Sequence, residues 1–239
     1  MSFRNIFQAL LGLFLCAAGS AHAGTFSVSP VRATLSLAHG VNSLTVRNDG
    51  EDAAIIQVEI VAWGQHEGQD MFTPSKEILV TPPIFTVPAK GSQVIRIGLR
   101  RAPDPNHELD YRMFLREVPP PPIPGFQGLQ VALRVSIPIF VLPKSEPKPV
   151  LVWQAITQEP GRIKLRVTNT GNAHSQIANY KLSRQGGEVV SSQQVAAYVL
   201  PGESREWLLE SKLAQGARLE LSARTDGDDV QAEMTLTTL

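Results

Sequence analysis

Residues Leu129–Pro143 read LQVALRVSIPIFVLP, and their pattern indicates the class of fold. The odd positions from Leu129 to Ile139 are all apolar, whereas the even positions of the first half are small or polar. Alternation with a period of two predicts a β-strand whose two faces meet different surroundings. Such a strand can lie in the core of its own domain, or one of its faces can pack against another protein. The pattern alone leaves both alternatives open.

The segments on either side of this strand are rich in proline. Pro119–Gly125 (PPPPIPG) precedes the strand, and Pro143–Pro149 (PKSEPKP) follows it. Proline favours extended backbone and lacks the N–H donor of a sheet ladder. We therefore expect an extended loop before the strand and a linker over residues 144–149. This linker divides the mature chain into a first domain over 24–143 and a second over 150–239.

Short alternating runs separated by turn residues fill both halves of the chain, about seven in each. The halves are also alike in detail, since VRNDGED at 46–52 and VTNTGNA at 167–173 each end a strand in a polar turn. Many short strands at this spacing are typical of antiparallel sandwiches. The sequence predicts an all-β protein of two immunoglobulin-like β-sandwich domains, with a polar loop at 64–71.

The first 23 residues have the features of a secretory signal peptide. Arg4 precedes an apolar run at Ala9–Ala18, and Ala21-His22-Ala23 has the form of a cleavage site. Cys16 suggests a lipoprotein as an alternative, but the bulky Leu15 before it disfavours lipidation. The apolar run is too short for a membrane span, so we expect no membrane insertion of the mature chain. That chain has no cysteine and must be stabilised by its cores.

The charge and the motifs give no support to catalysis, metal binding or nucleic-acid binding. The chain carries 22 basic and 22 acidic residues, which gives no bulk attraction to nucleic acid. His39, His66, His107 and His174 stand singly in polar stretches without metal-ligand spacing, so we expect them to be solvated. The sequence contains no G-x-S-x-G motif and no P-loop. We expect neither an enzyme nor a cofactor or metal ion.

Three arginines have no obvious structural role. Arg32 follows Ser29-Pro30 in an apolar run that we interpret as an edge strand with a bend. Arg32 can protect that edge from pairing with another strand. Alternatively, it can bind a carboxylate at the base of a cleft through two parallel hydrogen bonds. Arg112 and Arg116 alternate with Tyr111 and Met113 and face away from the predicted core.

At these residues the sequence resembles the PapD-like periplasmic pilus chaperones of the chaperone–usher pathway. The resemblance extends over almost the whole mature chain. Its most specific part is the segment 108–120, ELDYRMFLREVPP, which ends in the family's Leu-Arg-Glu-aliphatic-Pro-Pro. The other matching segments are LQVAL at 129–133, VRATL at 31–35, TPP at 81–83 and PAKG at 88–91.

The resemblance implies a boomerang of two sandwiches with a cleft between them. It implies a function in which the chaperone caps a pilus subunit that lacks the last strand of its own sandwich. The side chains that would fill the subunit groove are Leu129, Val131, Leu133 and Val135. The implied partners are pilus or fimbrial subunits and an outer-membrane usher, and the implied location is the periplasm.

The chain departs from the better-known members of this family at several site positions. The family's lysine on the last strand, which helps to hold the subunit's C-terminal carboxylate, corresponds to Pro138. In the family, an arginine later on the same strand forms an interdomain salt bridge, and this position is Leu142 here. Glu108 and Asp226 occupy the acidic positions of that salt bridge and therefore lack the arginine as a partner. Phe114 takes the place of an asparagine. These departures suggest a divergent branch similar to the archaic or spore-coat-type systems.

We hypothesise that Arg112 replaces the missing lysine and acts with Arg32 as the carboxylate anchor. Arg134 is a poorer substitute because it lies four residues from Pro138, about 13 Å along a strand. Two other functions stay open. One is a secreted fibre subunit or adhesin, which should polymerise or aggregate when expressed alone. The other is an exported hydrolase or carbohydrate-binding sandwich, for which no catalytic set is present.

Overall fold

The computed structural model describes residues 26–119, 131–159 and 161–238, and in these ranges the chain forms strands and no helix. The strands of the first half are β1 (Phe26–Ser29), β2 (Ala33–Leu35), β3 (Val41–Asn48), β4 (Ala54–His66), β5 (Gln69–Pro74), β6 (Ile78–Thr81), β7 (Ile84–Val87), β8 (Ser92–Leu99), β9 (Leu109–Val118) and β10 (Arg134–Val141). Those of the second half are β11 (Leu151–Glu159), β12 (Arg162–Asn169), β13 (Ser175–Arg184), β14 (Val189–Val199), β15 (Ser204–Glu210), β16 (Arg218–Thr225), β17 (Val230–Thr235) and β18 (Thr237–Thr238).

Each half of the chain folds into two sheets that enclose one apolar core. In the first half the strand orders are β1-β3-β8-β6 and β2-β10-β9-β4-β5, with β7 paired to β4. In the second half they are β15-β12-β11-β18 and β14-β13-β16-β17. Alternate side chains of the facing sheets fill each core, as the period of two requires. The prediction of an all-β fold with two immunoglobulin-like sandwiches is confirmed.

The chain crosses between the two sheets of the first sandwich at its N-terminal edge. β1 pairs antiparallel with β3, whereas β2 pairs parallel with β10 in the other sheet. The crossing occurs at Pro30–Arg32, after the cis Ser29–Pro30 peptide bond. The predicted bend in an edge strand is therefore a change of sheet. It places Arg32 in the connection rather than within a strand.

The two similar turns seen in the sequence are built around buried asparagines. Asn48 Nδ2 donates to the carbonyl oxygens of Asp52 and Val87, and its Oδ1 accepts from the Gly50 N–H. In the second sandwich, Asn169 Nδ2 donates to Ala173 and Val199, and its Oδ1 accepts from Val150 and Gly171. One buried amide in each sandwich thus holds a loop against a neighbouring strand.

The polar loop that we expected at 64–71 is instead a tight hairpin. β4 continues to His66, and β5 pairs with it from Gln69 to Pro74. The turn between them uses positive φ at Glu67 and Gly68. The expectation of a loop was wrong because the polar side chains of Gln65 and Asp70 contact the second sandwich instead of the apolar core, so the hairpin lacks the usual apolar alternation.

Candidate functional site

The strand predicted within Leu129–Pro143 is shorter than its pattern suggested. β10 begins at Arg134, and Val131 to Leu133 precede it as irregular backbone joined to β9. Glu117 N donates to the Leu133 carbonyl oxygen at 2.9 Å, and Leu133 N donates to Glu117 Oε2 at 3.2 Å. Of the four side chains predicted to fill a subunit groove, Leu129 lies outside the described residues.

The odd-numbered side chains of this segment become more exposed from its C-terminal end to its N-terminal end. Ile139 and Ile137 are buried, Val135 and Leu133 are half-buried against the same core, and Val131 is 46% exposed. Packing of Leu133 and Val135 against their own sandwich is what an ordinary core strand would show. The exposed Val131 shows that the apolar face continues beyond the part that the core covers.

Arg112 lies beside the position where the family's lysine is missing. In the register of β9 and β10, Arg112 is the direct partner of Pro138. Its guanidinium carbon lies 3.8 Å from the ring centroid of Trp63 and 5.4 Å from that of Tyr198 in the second sandwich. Contacts of this kind hold a guanidinium over an aromatic face. Arg112 thus lies in the corner between the two sandwiches.

The charge of Arg112 has no counter-ion in the part of the chain that the structure describes. Within the described ranges, no carboxylate oxygen lies within the 4.0 Å of an ion pair with this guanidinium, and its Nε is buried without a hydrogen bond. Burial lowers the pKa of Arg112, and the nearby negative charge of Asp70 opposes that effect. A partly desolvated cation that lacks a partner is an arrangement suited to receive an anion.

Arg32, the second predicted anchor, is already paired. Its Nη1 lies 2.7 Å from Asp226 Oδ2 across the interface between the sandwiches, and its side chain is 43% exposed. Burial raises the pKa of Tyr198, and the charges of both Arg32 and Arg112 oppose that effect, so both arginines lie near this residue. The structure therefore brings the two predicted anchor residues near the same tyrosine.

The interface between the sandwiches has an aromatic centre. Trp63 and Phe140 of the first sandwich pack against Tyr198 and Leu200 of the second, and Phe140 stacks on the His174 ring with centroids 3.4 Å apart. The even-numbered face of β10, opposite to the core, thus supplies a buried contact. Its burial stabilises the association of the domains by the hydrophobic effect.

The β4–β5 hairpin holds the second sandwich by polar contacts. Gln65 donates to the Tyr198 carbonyl oxygen at 3.0 Å and accepts from Leu200 N at 3.2 Å. Arg205 of β15 pairs with Asp70 and donates to the Gly68 carbonyl oxygen. Asp70 also accepts from the Trp63 indole N–H at 3.0 Å. The hairpin thereby links the second sandwich to the ring that supports Arg112.

Glu108 and Asp226 do have partners, which corrects the expectation that they lack one. Asp226 pairs with Arg32, as described above. Glu108 Oε1 accepts from the backbone N of His174 at 2.9 Å and is hydrogen-bonded to its ring Nδ1 at 2.7 Å. The His174 side chain is only 12% exposed, so the prediction of a solvated loop histidine is wrong for this residue. Sequence reasoning missed these pairs because residues 66 and 194 positions apart form them.

One further group is built around Glu108. The carboxyl groups of Glu108 and Asp110 and the His174 ring offer polar atoms within 4.8 Å of one another. Glu108 and His174 are hydrogen-bonded to each other, so we do not assign these residues as metal ligands. Burial raises the pKa of Glu108 to about 7 and raises that of Asp110 well above its usual value. Burial also lowers the pKa of His174 to about 4.

A second aromatic group lies next to the exposed end of the strand. The Arg134 guanidinium carbon lies 3.8 Å from the Phe114 ring centroid, and Phe114 meets Phe72 edge to face with centroids 5.5 Å apart. Phe114, at the family's asparagine position, is therefore packed within the first sandwich. Arg134 stacks there, away from Pro138, so its guanidinium does not reach the corner where Arg112 lies.

Comparisons with known proteins agree with this architecture. A chain of the CsuC–CsuE chaperone–tip adhesion subunit pre-assembly complex, from archaic chaperone–usher Csu pili of Acinetobacter baumannii, is 18% identical with a TM-score of 0.67 over 90% of this chain and 99% of that chain. The E. coli chaperone DraB is 22% identical with a TM-score of 0.60 over 90% and 98%. A chain of the Salmonella enterica complex of SafA pilin with the SafB chaperone is 18% identical with a TM-score of 0.62 over 91% and 99%.

At these identities the structural likeness shows the fold. No curated protein sequence matches the chain. Within the three described ranges, no helix is long and apolar enough to cross a membrane. The model of the family described as "Pili and flagellar-assembly chaperone, PapD N-terminal domain" matches residues 25–147, which is more than half of the chain. The chain therefore belongs to the PapD-like family of pili and flagellar-assembly chaperones.

Proposed function

We propose that this protein is a periplasmic chaperone that binds pilus or fimbrial subunits, caps their incomplete sandwiches and delivers them to an outer-membrane usher. Membership of the PapD-like family is the observation that carries the proposal. The function needs neither a cofactor nor catalysis, because folding of the subunit onto the chaperone supplies the free energy. The likeness to a complex from archaic Csu pili supports a place in the archaic branch.

The apolar segment before and within β10 is the part that would enter the subunit. Its apolar face emerges from the core toward Val131, so its N-terminal end is available to a partner whereas Ile137 and Ile139 stay in place. Full burial of an exposed apolar side chain contributes about 1.5–3 kcal/mol. Leu133 and Val135 are already half-buried in their own sandwich, so roughly 12 kcal/mol is an upper limit for Leu129, Val131, Leu133 and Val135 together, before ordering costs. A free energy of this size favours capture over aggregation of the subunit.

The corner between the sandwiches would hold the subunit's C-terminal carboxylate. Arg112 is the stronger candidate because its guanidinium is held on Trp63, is partly desolvated and has no counter-ion among the described residues. Arg32 would have to share its charge between the carboxylate and Asp226. We therefore assign the main anchor to Arg112 and an auxiliary role to Arg32.

The proposal is tested by refolding a denatured pilus subunit, encoded near this protein, with and without the purified mature chaperone. We expect the subunit to aggregate alone and to stay in solution as a one-to-one complex when the chaperone is present. The rival function of a fibre subunit predicts instead that this chain polymerises or aggregates by itself. If the chaperone neither binds the subunit nor reduces its aggregation, the proposed function is wrong.

A further inference from the structure

The Glu108 carboxyl group lies at the contact between the sandwiches and is fully inaccessible to solvent. It precedes β9 of the first sandwich, whereas both of its donors belong to His174 of the second sandwich. Its own backbone N–H donates to the Asn172 carbonyl oxygen at 3.0 Å. Both ends of this residue therefore hold the same loop of the second sandwich.

Two carboxyl oxygens are buried in this contact. Glu108 Oε2 and Asp110 Oδ1 are inaccessible to solvent, and no donor among the described residues reaches them. The two carboxyl groups instead lie side by side, each with an oxygen within 4.8 Å of an oxygen of the other. Ionised carboxylates only accept hydrogen bonds, so two facing ones repel. A proton on one of them converts the repulsion into a hydrogen bond.

The surrounding charges do not relieve that repulsion. Asp226 adds a third carboxylate, with its Oδ2 3.8 Å from His174 Nε2, and Arg32 neutralises only one of the three. Because burial lowers the pKa of His174, the ring is neutral at neutral pH and supplies no second positive charge. Full ionisation would leave two uncompensated negative charges at a buried contact, which is unfavourable.

We propose that Glu108 and Asp110 share a proton at neutral pH, and that this shared proton holds the two sandwiches together. Loss of the proton at higher pH loosens the contact between the domains. This inference stands on the geometry of the interface and does not depend on subunit binding, so its failure would leave the proposed function untouched.

The direction of the pH effect follows from the raised pKa values. The unfolded chain releases the protons of Glu108 and Asp110 at their ordinary, lower pKa values, whereas the folded chain retains them. The folded state thus binds more protons, so these groups lower the stability as pH rises from about 4.5 through about 7. His174, with its lowered pKa, acts in the opposite direction between about 4 and 6.5.

Two isosteric variants isolate the carboxyl contribution. In E108Q or D110N the new amide donates permanently to the remaining carboxylate, and E108Q keeps the oxygen that accepts from His174. His174 contacts Glu108 and titrates between about pH 4 and 6.5, so the carboxyl contribution is taken from the profiles above that range. E188Q is the matched control, because Glu188 is an exposed glutamate in the second sandwich.

The experiment measures thermal unfolding of the mature proteins from pH 5 to pH 9, together with NMR titration of the side-chain carboxyl carbons. As pH rises, we expect the unfolding temperature (Tm) of wild type and E188Q to fall by several degrees more than the Tm of E108Q and D110N. The Glu108 signal should titrate near pH 7. Equal pH profiles in all four proteins, or ordinary acidic titration of both carboxyl groups, would overturn the inference.

Discussion

Replacing Arg112 with methionine should remove the carboxylate anchor and leave the fold intact. The guanidinium lies over Trp63 without a counter-ion among the described residues, so methionine can keep the apolar contact with the ring without leaving an unpaired charge. We expect the free energy of unfolding to change by less than about 1 kcal/mol, as for volume-conserving replacements.

The loss of affinity can be estimated from the contacts that Arg112 would make. A bidentate contact with a carboxylate consists of two charge-assisted hydrogen bonds, each contributing about 1.5 kcal/mol at the low end of the usual range. The low end applies because the guanidinium is only partly desolvated. A total of about 3 kcal/mol corresponds to roughly a 100-fold weaker complex.

The assay compares one pilus subunit prepared with a free C-terminal carboxylate and with a C-terminal amide. Wild type should bind the free acid about 100-fold more tightly than the amide, and Arg112→Met should bind both alike. Arg134→Met is the matched control, because this arginine also lies 3.8 Å over an aromatic ring but away from the corner. Equal preference for the free acid in wild type and Arg112→Met would refute the anchor assignment.

Three further predictions concern the fold and the interface. Asn169→Ala should destabilise the second sandwich by about 3 kcal/mol in urea unfolding, because two buried and two partly buried hydrogen bonds lose their partner. An unchanged midpoint would contradict this role. Phe140→Ala should lower the free energy of unfolding by about 3–5 kcal/mol. It should also raise the pKa of His174 in an NMR titration, since water would reach the ring. An unchanged pKa would show that Phe140 does not desolvate the ring. Gly171→Ala should destabilise the second sandwich, because a Cβ there would lie 2.2 Å from the Lys148 carbonyl oxygen; normal stability would contradict the crowding.

The sequence predicted the parts of the fold that depend on local pattern. Alternation located most strands, and the similarity of the two asparagine turns indicated two sandwiches of the same plan. Both follow from short-range rules, since a strand alternates its faces and a buried amide must find hydrogen bonds nearby. The Ser29–Pro30 bend was visible for the same reason, because proline interrupts a sheet ladder.

The interface could not be predicted in the same way. Arg32 and Asp226 are 194 residues apart, so nothing in the local pattern joins them. In the sequence, His174 lies in a polar turn and resembles a solvated residue. In the structure its ring is covered, because the second sandwich packs on Phe140 of the first. The β4–β5 hairpin lacks apolar alternation because its polar groups contact Arg205 and Tyr198. Each of these features depends on how two domains pack.

The position of the predicted anchor Arg112 could be predicted from the sequence only in part. The pattern of β9 set Arg112 on the face opposite to Tyr111 and Met113, where the structure has it. The choice of Arg112 over Arg134 as the anchor stays a prediction. The support from Trp63 and Tyr198 required the three-dimensional structure, because those rings come from β4 and β14.

The central claim is that the apolar segment leading into β10 caps a pilus subunit. Its most direct test is co-expression of the chaperone with that subunit in a periplasm, comparing wild type with Val131→Glu. Val189→Glu is the matched control, since Val131 and Val189 are 46% and 50% exposed and neither change should unfold the protein. The buried charge at position 131 would be costly in the subunit groove.

We expect wild type and Val189→Glu to yield a soluble one-to-one complex, and folded Val131→Glu to release the subunit. If Val131→Glu retains the subunit as well as the control does, the segment is an ordinary part of its own sandwich and the capping mechanism is wrong.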